Sequence, residues 1–271
     1  MGGAVTAMTG FDLSSKTAVI CGLSGGVGEE TARALARAGA EIIVVEGGTD
    51  LARATVESIT AAGGRARHLN HDAEGADGIA TAFAEIARDH DRVDILVTTA
   101  NRAHRGTVLE TSDEDLETML DVNVRSVVQA MRHALPLMLA HGGAIVHIAS
   151  IFANLALKER FAYTLTKGAV VSLTRSMAAD YADRNVRCNC VCPARTDTQA
   201  SRDWVRARYP GREQEAQAAL AAFHPLGRMG TPQEVASLIL YLCSDAGAFV
   251  TGQAFAIDGG VTATVADIEV E

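Results

Sequence analysis

Seven short, β-rich apolar runs separated by stretches of helical periodicity constrain the fold of this 271-residue chain more than any other feature. The runs span 17–21, 41–46, 65–70, 93–98, 144–150, 186–192 and 254–257. Alternation of such runs with helical stretches implies a parallel sheet covered on both sides. Between the first two, Val27 to Ala38 carries helical spacing, with Glu29 and Arg33 placed to pair at i,i+4. Parallel strands need a crossover, and a crossover through a helix returns right-handed, so the pattern predicts an α/β chain with a doubly wound parallel sheet of about seven strands flanked by helices. No Pro/Gly-rich break or repeat divides it. We therefore expect one domain over residues 1–271, with a less regular, substrate-facing stretch at 196–230.

Composition narrows the functional classes. The net charge is −9, from 24 basic and 33 acidic residues, which argues against nucleic acid or an anionic membrane as partner. No apolar run reaches the roughly 18–20 residues that span a bilayer. The N-terminus has neither a basic start nor a long apolar stretch, and a soluble, cytoplasmic protein is expected. Met1-Gly2 followed by Thr6 fits the bare N-myristoylation pattern, which loosely specified residues often match by accident. Cys188, Cys190 and Cys192 lie at alternate positions of one strand, so the outer pair would sit roughly 13 Å apart. A single zinc holds its ligands at about 2.3 Å. No metal is expected, and the five cysteines read as small buried apolar residues.

The turn after the first strand, Gly22-Leu-Ser24-Gly-Gly26-Val27-Gly28, enters a helix directly. Glycines let a backbone approach a pyrophosphate closely, and a helix N-terminus offers free N–H groups to it. Glu46 closes the second strand, where a carboxylate can accept hydrogen bonds from an adenosine ribose diol and would repel a 2′-phosphate. The neighbouring 23–25 and 47–50 segments supply no Arg or Lys. NAD(H) is the expected cofactor.

Tyr163 and Lys167 begin a helical segment and share one face at i,i+4. An ammonium close to a phenol favours phenolate and would lower the Tyr163 pKa from about 10, suiting it to exchange a proton with a substrate hydroxyl or carbonyl. Ser150 ends the fifth run at the carboxyl edge, where ligands sit in open α/β sheets. Asn123 lies on a helical stretch with no capping role.

In this order, these motifs resemble the short-chain dehydrogenases/reductases from about Leu13 to Gly260. The resemblance implies a Rossmann-type fold and an NAD-dependent dehydrogenase or reductase. It matches the family's glycine motif to Gly22, Gly26 and Gly28, its adenine-contacting Asp to Asp72 with Ala73 beside it, and its tetrad to Asn123, Ser150, Tyr163 and Lys167. Asn189 to Pro193 and on through Thr196 and Thr198 resembles the segment that touches the nicotinamide. Thr99 and Ala100 fall on further cofactor contacts. The implied roles are acid/base for Tyr163, pKa adjustment and ribose binding for Lys167, substrate orientation for Ser150 and a relay water for Asn123. The sequence departs from the pattern in three places. Thr98-Thr99-Ala100-Asn101 stands where Asn-Asn-Ala-Gly is usual, Ala194 replaces a glycine and Cys21 a threonine. Asn101 thereby places a side chain where the adenosine ribose approaches.

Arg195, with Arg202, Arg206, Arg208 and Arg212 in the same stretch, would suit a substrate carboxylate. The segment Arg187 to Pro193 also resembles family members that act on small hydroxy acids and sugar acids, and the resemblance implies a secondary alcohol or ketone on a small hydroxy acid, sugar or sugar acid, with Ser150 and Arg195 as substrate contacts. Aromatic content of 4% disfavours a large stacking surface. From Phe161 to Ala179 only Lys167 and Arg175 are charged, so that helix needs a second covering beyond the sheet, and the family resemblance implies a homotetramer. A second reading is an NAD-binding regulatory protein of the same fold that has lost turnover.

Overall fold

The computed structural model describes residues 10–23, 26–48 and 50–264. Gly2 and Ser24 lie outside the described residues. One parallel sheet organises the chain, in the order β3-β2-β1-β4-β5-β6-β7. The strands are β1 (Thr17–Cys21), β2 (Glu41–Val45), β3 (Arg65–Leu69), β4 (Ile95–Thr98), β5 (Gly143–Ile148), β6 (Val186–Pro193) and β7 (Ala254–Ile257). The order reverses between β1 and β4, which pair from Ala18↔Ile95 to Cys21↔Thr98. A crevice opens at the carboxyl ends of strands at such a switch point.

Both faces of the central strands are covered. Val19, Ile43, Leu96 and Ile145 pack against Ile79, Phe83 and Ile86 of α3 (Ala76–Asp89) and Val127 and Met131 of α5 (Ser126–Ala134). Ile20, Ile42, Val44 and Val97, from the alternate positions, pack against Leu35 of α1 (Val27–Arg37) and Ile239 and Leu242 of α9 (Pro232–Cys243). The helix α2 (Asp50–Ala61) joins β2 to β3, and α4 (Asp113–Leu120) runs through a π-helical turn, Asp121–Arg125, into α5. The longest helix, α6 (Phe161–Tyr181), crosses from β5 to β6.

The strands stop earlier than the apolar pattern, before Glu46, Asn70 and Ser150. At this edge the chain turns into the crevice: Ser150 is extended (φ −166°, ψ 156°) and its side chain accepts from Phe152 N, capping a 3-10 turn. At its other end β4 starts at Ile95 rather than Val93, because the Val93 N–H is taken by Leu137 O, outside the sheet. The stretch expected to be irregular contains two helices, α7 (Gln199–Arg208) and α8 (Glu213–Ala222). Thr198 starts the first, its Oγ1 accepting from Ser201 N at 3.0 Å, a capping bond the sequence reading overlooked.

Candidate active site

The glycine turn has no room for side chains. A Cβ on Gly22 (φ +88°) would lie 2.7 Å from Ala100 N, and one on Gly28 would lie 2.7 Å from Leu23 Cα and 2.9 Å from Thr99 Oγ1. Gly26 is also left-handed, at φ +76°. Thr99 braces the turn by donating its hydroxyl to Gly22 O at 2.7 Å. Glu46 reaches back over it, Oε2 accepting from Leu23 N at 2.7 Å. Burial pushes the Glu46 pKa up against that bond, and the Glu74 and Asp72 carboxylates add to the rise. Asp72, beside buried Ala73, accepts from Glu74 N at 2.9 Å. One end of the crevice is thus a backbone cradle bordered by three carboxylates. These residues fit a dinucleotide: the cradle is one that any Cβ at Gly22 or Gly28 would fill. Asn101, the side chain in the place of a glycine, lines the crevice with a buried Oδ1 that has no hydrogen-bond partner.

At the other end stand Tyr163 and Ser150, both in the crevice lining, with the Ser150 hydroxyl drawing the phenol pKa down. Lys167 is buried at 1% exposure, with Nζ donating to Ile148 O at 3.0 Å and lying 5.7 Å from the centre of the Tyr163 ring. Asn123 sits in the π-helical turn, a local widening often found at functional sites. Its Oδ1 accepts from Arg102 N at 2.7 Å, and its Nδ2 donates to Arg102 O at 2.9 Å and Thr166 Oγ1 at 3.1 Å. Thr166 in turn donates to Tyr163 O at 3.0 Å. The amide fastens the segment after β4 to α6 and leaves one lone pair of Oδ1 free.

The expected direction of the Tyr163 shift is not what the structure gives. Burial pushes the phenol pKa up, and the opposing pulls come from the Ser150 hydrogen bond and from Arg195 and Arg160 rather than from Lys167. Burial also lowers Lys167 to about 8. Spacing brings the two side chains together on one helix face, but desolvation dominates the shift of each.

A crevice of about 350 Å³ joins these two ends. Val27, Thr99, Ser150, Tyr163, Pro193, Arg195, Thr196 and Thr198 line it, whereas Asn123 and Lys167 stand behind its wall. Arg160 also lines it, a residue the sequence reading missed. Its position three residues ahead of Tyr163 was the available signal. Burial lowers the Arg160 pKa, and the charges of Arg195 and Arg105 lower it further. Arg195 lies over Trp204, 5.5 Å from the ring centre. Among the described residues neither Arg160 nor Arg195 has a carboxylate within ion-pair distance, while Arg202, Arg206 and Arg212 are paired with Asp197, Asp203 and Glu215. All five cysteines are free and buried, and among the described residues no His, Cys, Asp and Glu cluster could hold a metal.

A parallel sheet whose switch point opens on such a turn, with a buried ammonium one helical turn from a phenol at its rim, is the framework of oxidoreductases that use a nicotinamide dinucleotide. The comparisons with known proteins specify this class. A family model described as Enoyl-(Acyl carrier protein) reductase matches residues 22–262. Dehydrogenase/reductase SDR family member 6 of Xenopus laevis is 37% identical over 251 residues, covering 92% of this chain and 98% of the relative. The 2-keto-3-deoxy-L-fuconate dehydrogenase of Xanthomonas campestris is 33% identical, covering 92% and 80%. Among solved structures, L-sorbose reductase of Gluconobacter frateurii, complexed with NADPH and L-sorbose, aligns with a TM-score of 0.88 at 28% identity, covering 94% of this chain and 99% of that one. The chain belongs to the short-chain dehydrogenase/reductase family.

Proposed function

We propose that this protein is an NAD(H)-dependent enzyme that interconverts a secondary alcohol and a ketone on a small hydroxy acid, sugar or sugar acid, and that its substrate carries a carboxylate. Two guanidiniums, Arg160 and Arg195, neither ion-paired among the described residues, share one crevice lining with the Tyr163 phenol, and this carries the reading. Two fixed cations facing a crevice favour a bound anion, and a guanidinium can hold a carboxylate bidentately. The name of the Xanthomonas relative accords with an acidic sugar substrate.

The preference for NAD(H) rests on Glu46, because a 2′-phosphate would be brought against Glu46, Asp72 and Glu74 together. Gly22, Gly26, Val27 and Gly28 would take the pyrophosphate, with Ser24 of the same turn. Glu46 and Asn101 would take the adenosine ribose, and Asp72 and Ala73 the adenine. Thr99 and Ala100 shape the turn, and Pro193, Thr196 and Thr198 would border the nicotinamide, whose ribose would meet Tyr163 and Lys167. The dinucleotide supplies the hydride donor or acceptor.

The remaining steps belong to the chain. Ser150 orients the substrate oxygen and shares a proton with Tyr163. With its pKa raised, Tyr163 stands protonated near neutrality, the form that donates to a carbonyl during reduction. In the oxidative direction Arg160 and Arg195 favour the phenolate. Asn123 fixes Tyr163 through Thr166 and can hold a relay water with its remaining lone pair.

Turnover of a panel of hydroxy acids, sugar acids and polyols with NAD⁺ tests this reading. We expect Tyr163→Phe to lose about 10²–10⁴-fold in kcat and Arg195→Ala to raise KM for acidic substrates about 10- to 100-fold, the worth of a charge-assisted bond. An unchanged KM would remove the carboxylate from the reading. Thermal stabilisation by NAD⁺ without turnover of any compound would instead point to a regulatory binding protein.

The outer face of α6 exposes Phe161 and Leu165, which supports packing of a second copy there within a homotetramer. A monomeric mass by light scattering at micromolar concentration would refute that assembly.

A further inference from the structure

Beside the crevice lies a second cavity of about 320 Å³, roofed by α7 and α8. The two spaces share a wall of Phe152, Leu157, Arg195 and Trp204. Aromatic residues are scarce in the chain, yet its sole tryptophan, two tyrosines (Tyr163 and Tyr209) and two phenylalanines (Phe152 and Phe223) stand around these two spaces. Trp204 and Tyr209 meet edge-on with centroids 5.8 Å apart. With Phe223 they remain 36%, 38% and 44% exposed, so the roof leaves apolar surface in water that a ligand could cover. Ala216, Ala219 and Leu220 complete the floor of α8. Arg212 and Glu215, also in the lining, bind each other at 2.8 and 2.6 Å. Arg195 is therefore the cation of this chamber without an ion pair among the described residues.

We propose that the substrate of the Ser150–Tyr163 site bears an apolar chain or ring next to its carboxylate, and that this substituent lodges in the chamber beneath α7 and α8 while Arg195, in the shared wall, holds the carboxylate. The inference rests on the reading of that site as an oxidoreductase centre and narrows its substrate class. An alkyl or aryl group entering the chamber covers the exposed faces of Trp204, Tyr209 and Phe223. A polyhydroxylated chain of the same length would bring its hydroxyls against Leu157, Leu220 and Phe223, which offer no hydrogen bond, while Arg212 and Glu215 are already bound to each other. The chamber thus selects an oxo or hydroxy acid with an apolar substituent over a sugar acid.

Two measurements test this, one of them independent of turnover. In the first, straight-chain 3-hydroxy acids of four to eight carbons are oxidised with NAD⁺ alongside gluconate. We expect kcat/KM to rise roughly fourfold per methylene, the worth of a buried CH₂, with gluconate below the longer acids. Ala216→Phe, which fills the chamber, and Phe223→Asn, which makes its wall polar, should each flatten the dependence on chain length. A flat series in the unaltered protein, or gluconate turned over better than the eight-carbon acid, would overturn the proposal. In the second measurement, octanoate is titrated against the fluorescence of Trp204. Saturable change with octanoate, weakened in Ala216→Phe and absent with gluconate, supports the chamber even if no acid is oxidised, in which case the oxidoreductase reading fails alone. No response to octanoate while short acids are turned over sinks the chamber and leaves that reading standing.

Discussion

The two ends of the crevice are built from opposite materials. Around the dinucleotide turn the working surface is backbone: glycines whose Cβ atoms would collide with neighbouring main chain, held by Thr99 on Gly22 O and Glu46 on Leu23 N. Its border is acidic. Around Tyr163 the surface is side chain: a phenol, a hydroxyl, two guanidiniums without an ion pair among the described residues, and Trp204 on α7 with Tyr209 and Phe223 just past the ends of α7 and α8. Its border is basic. A backbone cradle admits one kind of ligand and tolerates little change, whereas side chains on short helices can be exchanged without disturbing the sheet. This division explains how one framework keeps its coenzyme while its substrate varies.

Exchanging the charge at the acidic end is the strongest way to break the contrast. Glu46→Arg removes the carboxylate proposed to face the ribose diol and supplies a guanidinium for a 2′-phosphate, so the ratio of Kd for NADP⁺ to Kd for NAD⁺ should fall about a hundredfold. Titration of the two coenzymes by fluorescence reads this directly. A ratio unmoved by the substitution would mean that the ribose is recognised elsewhere, with Asn101 the first residue to examine. The unaltered protein should prefer NAD⁺ even though the similar L-sorbose reductase was crystallised with NADPH, because three carboxylates border the turn where the ribose is proposed to sit.

The same contrast decides what could be read in the sequence. The sheet, the glycine turn and Glu46 are local: strand runs of one character, a fixed spacing and a residue at a strand end carry them. Tyr163 and Lys167 are legible for the same reason, being one helical turn apart. The phenol's protonation was not, because spacing reports proximity while burial, a property of the whole fold, sets the larger effect. Arg160 escaped because its role depends on a crevice wall formed with Arg195, thirty-five residues later. The aromatic wall escaped because low overall content conceals concentration in one place: Phe152, Trp204, Tyr209 and Phe223 come together only when α7 and α8 fold over the 3-10 turn after β5. Asn123 was recognisable by type and order, but its stapling bonds to Arg102 and Thr166 belong to tertiary structure.

A smaller effect separates the two ends beneath the surface. His147 of β5 is fully buried, with Nδ1 paired to Thr98 Oγ1 at 2.8 Å and Nε2 buried without a hydrogen-bond partner. Burial, reinforced by the charge of Lys167, lowers its pKa to about 3. The basic end therefore rests on an imidazole that stays neutral, and Lys167, at about 8, retains the proton near neutrality. Between pH 6.5 and about 3 the unfolded chain binds a proton at this position that the folded chain refuses. Stability must then fall as pH drops through that window, by up to about 1.4 kcal/mol per pH unit from this group alone. His147→Asn keeps a polar partner for Thr98 and abolishes the titration. Urea unfolding at pH 7, 6 and 5 should show a shallower loss for the variant, whatever its stability at pH 7. Parallel losses in the two proteins would mean that His147 accepts a proton in the folded state, and the neutral base beneath Lys167 would have to be abandoned.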